Sequence, residues 1–219
     1  MVHTGTFSLP PVNRREVLRY AGVREESAQL TELLEAILPE ASAVLTANVC
    51  WQEFSLHHLD HGMDLGFAQV RSDSLARNLT GCDRIILFAA TAGLGIDRLI
   101  ARYGRLSPAK ALMLQALGTE RIEALCDTFC HYIRQEYDGL YLRPRFSPGY
   151  GDLPLELQRD IFRVLDCSRK IGLTLNESLL MSPSKSVTAI IGLSQYVGCD
   201  HSAGCRSCGK TDCIYRRMP

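Results

Sequence analysis

The segment RPRFSPGYGDLP, Arg143 to Pro154, packs three prolines, two glycines and two arginines into twelve residues with neither helical nor strand periodicity. An irregular arginine-bearing loop suits binding: Arg145 can fork onto a carboxylate, Gly149 lets a backbone approach a ligand, and Tyr150 offers a flat face with a polar tip. A rigid connector is the alternative. A second group lies in the tail, where Cys199, Cys205, Cys208 and Cys213 follow the spacing C-x5-C-x2-C-x4-C. Four thiolates suit tetrahedral zinc or an iron–sulfur cluster alike. Zinc would make the tail a clasp, and a cluster would make it an electron relay.

Other groups are weaker. In HHLDH, His57 and His61 stand i, i+4, but the zincin glutamate is missing and a solvated polar loop is expected. TAGLGID, Thr91 to Asp97, has too few glycines for a dinucleotide fingerprint and reads as a tight strand-to-helix turn. Glu177 and Lys185 sit in otherwise apolar or small surroundings. Glu177 is a candidate partner for Arg145 or for a cationic ligand, with a structural ion pair as the alternative. Cys50, Cys82, Cys126, Cys130 and Cys167 are scattered among apolar neighbours and read as small buried hydrophobes, although Cys126 and Cys130 are one helical turn apart.

These groups need a frame. Helices are expected over Arg14 to Tyr20, over Glu25 to Leu38 (ending before Pro39), over Ser72 to Leu79, from Pro108 to about Asp138, and as one piece from Leu155 to Lys170. Strands are expected over Ala43 to Val49, Arg84 to Thr91 and Ser186 to Ser194. The mixture reads as α+β or mixed α/β, with 46% apolar residues to fill a core. Twenty-four basic residues balance 24 acidic ones, which argues against a broad nucleic-acid or membrane-binding face. No stretch reaches the ~20 apolar residues of a membrane span, and the N-terminus lacks the apolar region of a signal peptide, so a cytoplasmic protein is expected.

Three segments taken in order, ILFAATAGLGIDRLI, RFSPGYGDLPLELQ and IGLTLNESLLMSPSKSVTAIIGLS, resemble the activation domain of cobalamin-dependent methionine synthase, and stand-alone proteins built on it. The resemblance covers roughly Ile85 to Ser194 and centres on Arg145, Pro148, Gly149 and Tyr150. It implies an α+β fold of helices with a twisted antiparallel sheet over residues 1–194, followed by a Cys-rich tail over 195–219. It implies S-adenosylmethionine as ligand, with Arg145 on the methionine carboxylate, the Ser147 backbone touching the ligand and Tyr150 facing the corrin. It also implies an activity: reductive remethylation of cob(II)alamin held by a corrinoid methyltransferase, most naturally methionine synthase, with electrons from a flavodoxin- or ferredoxin-like donor. No general acid or base is required. The aspartate-x-histidine-x-x-glycine signature of a cobalamin-binding domain is missing, since His61 follows Asp60 directly, so the corrin would belong to the partner. An iron–sulfur electron-transfer module and a zinc-stabilised binding protein on the same fold are the rival readings.

Overall fold

A computed structural model describes residues 1–23 and 27–196. The chain opens with β1 (His3–Thr6), α1 (Arg14–Tyr20) and α2 (Ala28–Val44), then β2 (Asn48–Ser55) and a small antiparallel sheet of β3 (His57–Leu59), β4 (Gly62–Asp64) and β5 (Gln69–Val70). Next come α3 (Asp73–Asn78), β6 (Cys82–Thr91), α4 (Leu94–Leu106) and α5 (Pro108–Glu136). The last part holds β7 (Tyr141–Leu142), α6 (Leu157–Leu165), α7 (Cys167–Ile171), the pair β8 (Thr174–Leu175) and β9 (Met181–Ser182), and β10 (Ser186–Ser194).

Among the described residues the main sheet has the order β1-β2-β6-β10-β7, antiparallel throughout. The run RIILFAAT becomes its central strand because both of its faces are covered. Ile85, Leu87 and Ala89 pack with Leu157, Ile161 and Leu165 of α6, while Ile86, Phe88 and Ala90 pack with Ile122, Leu125 and Phe129 of α5. A third core joins α1, α2, α4 and α5 through Val17, Leu34, Ile37, Ile96 and Leu117.

Four expectations are corrected. Helix α2 runs through Pro39 to Val44, because Ile37 and Ala41 on either side of the proline are buried in that third core and offset the lost backbone hydrogen bond. Ala43 and Val44 therefore finish a helix, and the following strand starts only at Asn48. The helix expected over Leu155 to Lys170 is two helices, broken where Asp166 adopts a left-handed conformation (φ 49°) that a short polar side chain tolerates. HHLDH is solvated but only partly a loop: His57 to Leu59 form a strand, with His57 and His58 opposite Asp64 and Met63, and Asp60 and His61 make the turn, so the i, i+4 helical spacing is never realised.

Candidate functional site

The floor of the candidate site is the free edge of β10. Its other edge pairs with β6 along the whole strand, but on this edge β7 covers only Leu193 and Ser194. The loop then takes over, Arg143 donating its N–H to the Gly192 carbonyl and Phe146 exchanging both backbone hydrogen bonds with Ile190 at 2.9 Å. By the two-residue period of a strand, Thr188 presents its N–H and C=O to the same edge, beyond the reach of that loop. A groove of about 400 Å³ opens there. Its walls are Glu123 and Cys126 of α5, Arg145 to Pro148 and Tyr150 of the loop, Gln158 of α6 and Met181 of β9.

The loop that supplies Arg145 is built to hold one shape. Gly149 donates to the Leu153 carbonyl, Tyr150 to Ser147 and Leu153 to Tyr150, closing consecutive turns. Gly149 has φ 87°, and a Cβ there would come within 3.2 Å of Leu155, so glycine answers both backbone and space. Asp152 then ties the loop to the start of α3. Its carboxylate accepts from the Ser72 hydroxyl (2.6 Å) and from the backbone N–H groups of Asp73 (2.7 Å) and Ser74 (3.1 Å). The Ser72 hydrogen bond foremost, with the two amides, pushes the Asp152 carboxyl well below its ordinary value. Asn78 adds a hydrogen bond to the Pro144 carbonyl.

The guanidinium of Arg145 leans toward α5. Its Nη2 lies 3.2 Å from Glu123 and 3.0 Å from Asp127, while Nη1 is buried and has no hydrogen-bond partner. Glu123, Cys126, Asp127 and Cys130 follow the i, i+3, i+4, i+7 spacing of one helical face, and all four interact with that cation. Burial raises both thiols above their ordinary values, so Cys126 and Cys130 stay protonated and pack as small hydrophobes. One guanidinium against two carboxylates leaves the α5 side of the groove formally negative.

On the α6 side the chemistry changes. Gln158 is 6% exposed, and its Oε1 is buried without a partner. Beside it, Phe146 and Met181 belong to the apolar cluster under α6. The Ser186 hydroxyl is already engaged with Thr91 and the Pro183 carbonyl, both at 2.8 Å. Two residues that line the groove thus each carry a buried polar atom without a partner, a donor on Arg145 and an acceptor on Gln158.

Arg145, Ser147, Pro148 and Tyr150 are brought together as the sequence suggested, with Tyr150 69% exposed at the mouth and Gly149 shaping the turn behind it. Glu177 is not among them. It is exposed in the turn after β8, its carbonyl accepts from Arg159, and the carboxylates on Arg145 come from Glu123 and Asp127 instead. Nor does Glu177 pair with Lys185, whose ammonium donates to Thr119 (3.2 Å). TAGLGID is a packing device: a Cβ on Gly95 would stand 2.5 Å from the Val44 carbonyl, and Asp97 accepts from the Ser184 N–H and hydroxyl. Among the described residues no cluster of histidine, cysteine or carboxylate could hold a metal, and no helix is long and apolar enough to cross a membrane. Cys199, Cys205, Cys208 and Cys213 lie outside the described residues.

Comparison with known proteins bears on the fold and the family. No curated protein matches the chain. A solved structure, the crystal structure of the MetH reactivation domain bound to AdoHcy, is similar with a TM-score of 0.63 at 19% identity, covering 90% of this chain and 80% of that one. The family profile for the vitamin B12 dependent methionine synthase activation domain matches residues 66–197, a span that contains every residue lining the groove. The chain therefore belongs to the family of the vitamin B12-dependent methionine synthase activation domain.

Proposed function

We propose that the groove binds S-adenosylmethionine and presents its methyl group to a reduced corrinoid carried by a methyltransferase partner, most naturally methionine synthase. The observation that carries this reading is the Arg145 side chain, which lines the groove, is held on one side by Glu123 and Asp127, and keeps a buried, unpartnered Nη1. A carboxylate satisfies such a donor, and a formally negative wall favours the ammonium and sulfonium that accompany it in this ligand. Family membership and the AdoHcy-bound relative support the choice.

The work of this chain is then positional. Arg145 fixes the methionine carboxylate, the loop backbone at Ser147 to Gly149 sets its depth, and exposed Tyr150 faces the docking corrin. The corrin cobalt, reduced by one electron from a low-potential donor such as a flavodoxin or ferredoxin, supplies the nucleophile. The methyl group leaves sulfur without its bonding pair, so S-adenosylhomocysteine remains in the groove. No proton moves, in keeping with a groove whose thiols are held neutral.

The test has two readouts. Calorimetry should show S-adenosylmethionine binding by the isolated chain. Adding the chain, ligand and reductant to a cob(II)alamin-loaded methionine synthase core should regenerate the methylcobalamin spectrum. Binding without remethylation of any corrinoid core would replace the transfer role with a sensing one. We further propose that Cys199, Cys205, Cys208 and Cys213 hold zinc or an iron–sulfur cluster. Anaerobically purified protein containing neither iron nor zinc would end that idea.

A further inference from the structure

Gln158 has no part in the function as described above, yet its position is unusual for a glutamine. It is the second residue of α6, at 6% exposure, and lies on the inward stripe with Ile161 and Leu165. Its Oε1 is fully buried with no hydrogen-bond partner, a state that costs free energy unless something supplies a donor. It lines the same groove as Arg145, and the groove has two chemically distinct ends. The α5 end carries charge, through Arg145, Glu123 and Asp127, and suits an amino-acid head group. The α6 side carries none among its lining residues: Phe146 and Met181 line the groove together with Gln158, and both pack on the apolar cluster that includes Leu157 and Ile161. Flat apolar walls with one amide acceptor are what a heteroaromatic base requires. Glutamine matches adenine in particular, because its carbonyl accepts from the 6-amino group while its amide can donate to a ring nitrogen.

We infer that Gln158 reads the base of the bound nucleoside, its Oε1 accepting from the 6-amino group of adenine. The inference rests on the reading that the groove takes S-adenosylmethionine, and it makes Gln158 a specificity residue remote from the methyl group. Residues that hydrogen-bond a ligand N–H reject an analogue lacking that group, because the buried acceptor then stays unpaired.

The experiment compares S-adenosylhomocysteine with the analogue in which hydrogen replaces the 6-amino group, titrated into wild type, Gln158→Leu and Gln158→Glu. Wild type should prefer the amino-bearing ligand by about tenfold or more. Gln158→Leu should bind the two within about twofold of each other, and Gln158→Glu, which keeps an acceptor, should retain a preference. A Gln158→Leu protein that keeps the full preference overturns the assignment. So does a wild type that shows none, a comparison that needs no variant to fold. A wild type that binds neither nucleoside overturns the underlying reading as well, which separates the two failures.

Discussion

Replacing Arg145 with alanine removes the group on which the ligand reading turns, and the structure sets the size of the effect. Nη1 is a buried, unpartnered donor on a side chain that lines the groove and is 24% exposed. A carboxylate bound there makes a charge-assisted hydrogen bond, worth about 1.5–3 kcal/mol net, and truncating one partner of such a buried pair costs about 2–5 kcal/mol. We therefore expect Arg145→Ala to weaken S-adenosylmethionine by about 2–4 kcal/mol, or roughly 30- to 800-fold in Kd. The cost to folding is separable. Without the guanidinium, Glu123 and Asp127 face each other one turn apart on α5, but with side chains 37% and 65% exposed they are well solvated. Their repulsion should amount to a few tenths of a kcal/mol and shrink with salt. Arg145→Lys keeps the charge without the fork, so its affinity should fall between the two. Calorimetry on variants with unchanged circular dichroism reads the affinities, and thermal unfolding reads the stability. If Arg145→Ala binds within twofold of wild type, the guanidinium is a structural tie for α5 and the carboxylate assignment is wrong.

Two further outcomes follow from the electrostatics. Because the α5 wall pairs one guanidinium with two carboxylates, the cationic S-adenosylmethionine should bind more tightly than S-adenosylhomocysteine, by about 1–3 kcal/mol if the sulfonium lies ~5 Å from that wall. The gap should narrow as salt is raised, and equal affinities at low ionic strength would remove the wall from the account. For the Asp152 tether the sign is fixed by its depressed pKa. The unfolded chain takes up the proton first, so the tether stabilises the loop above the ordinary value of 3.8 and loses that contribution as the pH falls below it. Wild type should therefore be more stable than Asp152→Asn near neutrality, with the difference closing in acid. A pH-independent difference would show that the carboxylate charge plays no part.

The loop from Arg143 to Pro154 was legible because its residues violate every periodic pattern. Three prolines and two glycines between strand and helix leave no regular alternative, and an arginine in such a place needs a use. Its partners were harder to see. Glu123 and Asp127 sit in a helix whose apolar residues, Ile122, Leu125, Phe129 and Ile133, describe the buried face, and reading that face hides the polar one. The signal was present as the quartet Glu123, Cys126, Asp127 and Cys130, four non-aliphatic residues one and two turns apart. Gln158 was legible in the same sense, as a polar residue on the buried stripe of α6. Glu177 misled for the opposite reason. Its apolar neighbours in sequence suggested burial, but they lie in short turns and paired dipeptide strands that leave its side chain in solvent. Local composition reports burial only where an element is long enough to have faces. Pro39 was read as a helix stop and overruled by the packing of Ile37 and Ala41 on either side of it, whereas the break at Asp166 was missed because the apolar spacing of Leu157, Ile161 and Leu165 suggested one continuous helix.

An uncovered sheet edge is ordinarily a hazard, because unpaired N–H and C=O groups recruit other chains. Here the exposed edge of β10 is short, from Ser186 to about Ala189, and it is fenced by α5 on one face, α6 on the other and the Arg145 loop at the end. Continuing β7 along the strand beyond its two pairs with β10 would have closed it. Instead the chain leaves the strand after Leu142, bridges back once at Phe146 and anchors its turn to α3 through Asp152. That detour aligns three things that a continued strand would separate: an arginine with a spare buried donor, a glutamine with a spare buried acceptor, and an exposed tyrosine above both. Such spare valences are costly in the protein alone, and the proposed S-adenosylmethionine ligand would satisfy both. The fold holds that arrangement by tethers outside the groove, Asp152 on Ser72 and Asn78 on the Pro144 carbonyl, so the shape of the loop does not depend on what fills the groove.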